Sequence, residues 1–241
     1  MKSNPISRSV LTATAVLCLG NVTASAINIK VTMTVDNSYA LYYGPQTGAT
    51  TFVGSDFSWP TAETYNFNLP AGQYIYVVTA SDLSVAQGFL AQIENLDNGN
   101  KFYSNDPQWQ VMATGLGSSA PYTGSAADLA LLSNEIVDAN GGGNASNGWV
   151  GLTSGPSNGS APWGTIAGID AAAKWVWYSA NGDTDPTTPG FNHDEWLVFR
   201  IPVEASPQGV PESGSTLGLM GGVLMSLGLA RSRMKRRQRM V

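Results

Sequence analysis

The chain has 241 residues, 43% hydrophobic and only 12% charged, with a formal net charge of −5 at pH 7. The acidic balance argues against nucleic acid and anionic lipid as partners. One cysteine and one histidine exclude a disulfide framework and a His/Cys zinc site.

Lys2 and Arg8 precede the apolar run "VLTATAVLCLG", and small residues at Ala24 and Ala26 follow. A basic start, an apolar centre and an A-x-A exit predict a secretory signal peptide over 1–26, cut after Ala26 by signal peptidase. The apolar run is too short for a spanning helix. Cys18 lies within it, so the exported chain carries no thiol.

From Ile27 the pattern changes. Ile27, Ile29, Val31, Met33 and Val35 alternate with polar residues, the period of a half-buried strand. "SYALYYG", "TYNFNLP", "QYIYVVTAS" and "GFLAQIEN" follow, bounded by turn clusters such as "PAG" and "DNGN". "KWVWYS" and "EWLVFRIPV" close the series. Trp175 and Trp177 are expected to share one strand face, and Tyr74 and Tyr76 another. The expected fold over 27–207 is all-β, an antiparallel, jelly-roll-like β-sandwich with long Gly-rich loops and one short helix. The helix is placed at "SAADLALLSNEIVDANG", with Ser125 as N-cap and Gly141 past its end. The rest of 115–168 reads as loop.

The stretch 208–241 forms a unit of its own. "VPESGST" (210–216) precedes an uncharged run from Leu217 to Ala230, about 21 Å long as a helix, short of a roughly 30 Å hydrocarbon core. A basic tail over 231–241 carries Arg231, Arg233, Lys235, Arg236, Arg237 and Arg239, half of the twelve cations in the chain. The tail holds its end on the cytoplasmic side while the run inserts transiently. The region from Ile27 to Val210 keeps four cations against sixteen acids, a formal −12.

This order of motif, apolar run and basic end resembles the PEP-CTERM sorting signals, closest to the variant with a Val-Pro-Asp-Ser-Gly core. The matching positions here are Val210, Pro211, Glu212, Ser213 and Gly214, with Glu212 where that variant has Asp. The resemblance implies recognition by an exosortase-type membrane transpeptidase and delivery to the cell surface or an extracellular matrix. "VDNSYALYYG", "SDFSWPTAETYNFNLPAGQYIYVVTASD", "AQGFLAQIEN" and "KWVWYS" resemble galactose-binding-like β-sandwich modules. That resemblance implies an adhesive, structural or glycan-binding role, with extracellular polysaccharide as partner. The alternative is a secreted carbohydrate-active hydrolase working through a carboxylate pair.

Chemistry-bearing candidates are few. His193 is the sole histidine, and "GPSNG" (155–159) is a Gly-x-Ser-x-Gly match that would make Ser157 a nucleophile if a strand preceded it and a helix followed. A loop histidine and a chance match in a Gly-Ser segment are the plainer readings, and no catalytic residue is assigned. In "NGDTDPTTPGFNHDE", Asn181, Asp183 and Asp185 place oxygen ligands at alternate positions and Asn192 and Asp194 repeat that spacing, so Asp183, Asp185 and Asp194 are the candidate ligands for calcium. The competing reading is a polar turn. Trp59, Trp109, Trp149 and Trp163 sit in loop-like contexts, either as platforms for sugar rings or as buried anchors.

Overall fold

The computed structural model describes residues 26–80, 86–116, 126–179 and 196–203. Two antiparallel sheets face each other. The first runs in the order β4 (Glu63–Leu69), β1 (Ile27–Asp36), β6 (Gly88–Asn95), β10 (Lys174–Trp177), β9 (Thr153–Ser157), with β7 (Lys101–Tyr103) also paired to β6. The second runs β3 (Thr51–Asp56), β2 (Ser38–Gly44), β5 (Tyr74–Ala80), β11 (Leu197–Pro202), β8 (Gln110–Ala113). One helix, α1 (Ala126–Asn140), accompanies them.

The central core lies between the sheets. The alternating set Ile27 to Val35 of β1 meets Leu41, Val77, Phe199 and Ile201 of the second sheet. Unlike a simple two-layer sandwich, both outer faces are also covered. Leu132, Ile136 and Ala139 of α1, at helical spacing, cover Tyr42, Tyr76, Val78, Met112 and Val198. Over the first sheet, Trp163, Ile166 and Ile169 of the 158–173 segment cover Leu90 and Trp175.

The interval expected to be loop thus contains a strand. β9 is "TSGPS", whose Gly and Pro hide it from any alternation test, and as an edge strand it tolerates the missing N–H of Pro156. The expectation for Trp175 and Trp177 also fails. A register shift between Lys174 and Val176 puts Trp175 on the outer face and Trp177 in the central core, because a bulge breaks the period of two. Tyr74 and Tyr76 do share a face, under α1.

Ile27 pairs with Leu69 and Pro202 with Tyr74, so the first and last strands begin and end on either side of one four-residue link. The opposite pole holds Asp36, Ser38, Ala80, Gly88 and Leu197. Among the described residues no helix is long and apolar enough to cross a membrane.

Candidate functional site

Asp183, Asp185, His193, Asp194 and the motif Val210, Pro211, Glu212, Ser213, Gly214 lie outside the described residues. Among those described, no group of three or more His, Cys, Asp or Glu is placed to hold a metal. Ser157 ends β9, and turns rather than a helix follow it. Its neighbour Asn158 has the structural role. Asn158 Nδ2 donates to the carbonyls of Ile166 (3.0 Å) and Ile169 (2.7 Å), and Oδ1 accepts from Ile166 N–H (2.8 Å). This buried amide ties the 166–169 part of the outer cover to the end of β9.

Two of the four candidate tryptophans are interior anchors. Trp163, 7% exposed, stacks on Trp175 at 4.1 Å and donates its indole N–H to Asp36 Oδ2 at 2.7 Å. Gly88 lies beneath that pair: a Cβ there would come within 2.6 Å of the Trp175 ring. Trp109, 2% exposed, packs edge-on to Phe89 and donates to Tyr103 O at 3.0 Å. Neither offers a ring face to a sugar. Trp59 is half-buried against the Trp163 cluster. Trp149 is half-buried too, and the guanidinium of Arg200 covers its ring at 3.8 Å.

Arg200 is a feature the sequence reading passes over. It is 6% exposed, donating from Nε to Gln110 Oε1 (2.9 Å) and from Nη1 to Asn140 Oδ1 (2.8 Å), with Tyr74 at 5.3 Å. Asn140 Oδ1 also accepts the Trp149 indole N–H, and its Nδ2 donates to Gln46 O. Burial lowers the Arg200 pKa and raises that of the Tyr76 phenol facing it. Cation–aromatic stacking and amide oxygens here replace the usual carboxylate partner. The signal was present: Trp196, Val198 and Arg200 alternate with the core residues of β11, so an apolar outer face flags a cover.

A cleft of about 330 Å³ opens on the flank where the chain crosses twice between the sheets. One wall is the turn between β7 and β8. Ser104 Oγ donates to Lys174 O (2.6 Å), Asn105 Oδ1 accepts from Lys174 N–H (3.0 Å), and Asp106 Oδ1 accepts from Gln108 N–H (2.9 Å). These bonds fix the turn. They leave Asn105 Nδ2 and Asp106 Oδ2 without a hydrogen bond among the described residues. The facing wall is Gly151, Leu152 and Ser154, held by the Val111–Val150 bridge. Pro107 and Trp109 complete the lining.

No family model matches the chain, and neither does any curated protein or solved structure. A carboxylate, an amide, hydroxyls and small apolar patches line the cleft.

Proposed function

We propose that this chain is an exported, non-enzymatic cell-surface or extracellular-matrix protein with an adhesive, structural or glycan-binding role. The observation that carries the reading is the order within 210–241: a Pro-Glu motif, a run too short for a comfortable anchor, then six cations on an otherwise acidic chain. Signal peptidase removes 1–26, the apolar run pauses in the inner membrane, and an exosortase-type transpeptidase acts at Val210–Gly214. What is delivered is the jelly-roll-like sandwich, whose covered faces suit a domain that folds without disulfides. Calcium in the Asp183, Asp185, Asp194 loop belongs to this reading. A melting temperature unchanged between millimolar calcium and chelator rejects it.

Mass spectrometry of protein recovered from the cell surface tests the delivery route. The expected species lacks Leu217–Val241. Pro211→Ala with Glu212→Ala is expected to trap the full-length form in the inner membrane. Recovery of an intact 231–241 peptide from the surface fraction would overturn the reading.

A further inference from the structure

We infer that the flank cleft between 104–109 and 151–154 binds one neutral pyranose unit of an uncharged polysaccharide. This rests on the extracellular reading above and names the ligand class that it leaves open.

The cleft volume sits at the lower end of the range for small-molecule sites, which run from roughly 300 Å³ upward. Its polar groups are held from behind. Asn105 and Asp106 each spend one side-chain oxygen on the backbone, so their remaining atoms are fixed in place and need no ordering on binding. Asp106 Oδ2 accepts from one sugar hydroxyl, Asn105 Nδ2 donates to another, and Ser154, exposed on the opposite wall, serves either way. Pro107 and Leu152 supply the apolar patches on which the C–H face of the ring rests. Trp109 is only 2% exposed, so contact is by hydrogen bonds and aliphatic surface and not by stacking.

Charge decides the sugar class. Among the described residues no Lys, Arg or His lines the cleft, while Asp106 does. A uronate or sulfate would therefore meet a carboxylate with no compensating cation.

Gly151 provides the clean test. Gly151 lines the cleft, and a Cβ there meets nothing within 4 Å at an ordinary φ, so Gly151→Leu adds side-chain bulk at the cleft with no clash at its first atom. The full chain in a zwitterionic detergent is titrated with cellohexaose, laminarihexaose and mannohexaose. The probe is the Trp109 indole N–H resonance, assigned by its loss in Trp109→Phe. The expected result is a saturable shift with at least one neutral hexaose. Affinity should fall at least tenfold in both Gly151→Leu and Asp106→Ala, while Gly151→Leu keeps the wild-type melting temperature. Three results overturn the inference: no shift with any hexaose, an unchanged shift in Gly151→Leu, or tighter binding of a glucosamine oligomer or polygalacturonate. Surface delivery is read by mass and location, so the two proposals fail independently.

Discussion

Asn158 shows how one side chain can organise a layer. Its amide makes three hydrogen bonds to the backbone it folds over the first sheet. Alanine there strands two carbonyls and an N–H in a buried setting, at about 1–3 kcal/mol per unsatisfied group. We expect Asn158→Ala to cost at least about 2 kcal/mol in denaturant unfolding, whereas Ser157→Ala next to it stays within about 0.5 kcal/mol. Equal effects would mean that the 158–173 cover is held by its apolar contacts instead. Two of the buried indoles, Trp163 and Trp177, differ in the same way. Trp163 N–H serves the Asp36 carboxylate, while Trp177 Nε1 is buried with no hydrogen-bond partner among the described residues. Replacing each by Phe removes the same ring volume from a buried site, so both should destabilise, with 163 the costlier by about 1.5–3 kcal/mol for the lost bond to a charged group.

At the level of elements, helix α1 ends by a device that the sequence announces. Gly142 takes φ +84°, Gly143 N–H bonds Asp138 O, and Gly142 N–H bonds Ala139 O, a Schellman closure one residue beyond the expected Gly141. A Cβ at Gly142 meets open space, so the cost of Gly142→Ala is backbone strain alone, about 1–2 kcal/mol by thermal melting. Gly142→Asn should cost less. Strands were legible wherever one face was core and the other polar, as in β1, or where both faces were covered and the apolar run was long, as in β5 and β6. β3, β7, β8 and β9 were not. β3 carries a bulge between its pairings to Leu41 and Tyr42 and an exposed Phe52. β7 and β8 have three and four residues, too few for a period to show. The cleft was illegible for a further reason: its walls come from two crossovers about fifty residues apart. Trp109 marked the neighbourhood, but for a role in packing.

The pH response belongs to the whole molecule, since the affected phenols lie in different layers. Burial raises the Tyr39 and Tyr76 phenols far above their usual value of 10.0, Tyr39 helped by its hydrogen bond to Tyr65. A raised folded pKa favours the neutral form. Its contribution is therefore complete below about pH 10 and is lost as pH rises above the unfolded value. Glu135 acts in the same sense at lower pH. Burial, then Asp138, raises its pKa, so its share is present in acid and lost on passing upward through the carboxylate range. The sandwich should thus unfold cooperatively in alkali, with the tyrosinate absorbance of Tyr39 and Tyr76 appearing in step with the loss of β circular dichroism. Smooth titration of all nine tyrosines in a still-folded domain would contradict the burial described.

The shared pole of the first and last strands gives the molecule a posture. Ile27 and Pro202 flank one short link, and everything C-terminal of β11 leaves from that point. A domain tethered through its C-terminal side would stand on this pole, with the turn at 95–100 facing the support. The end carrying Asp56, Phe57 and Ser58 would point to the medium, with the Phe57 ring 63% exposed there. With no native cysteine beyond Cys18, single thiols report this directly. On intact cells a bulky maleimide should label Ser58→Cys readily and Asn98→Cys slowly, and the difference should vanish once the protein is released into solution.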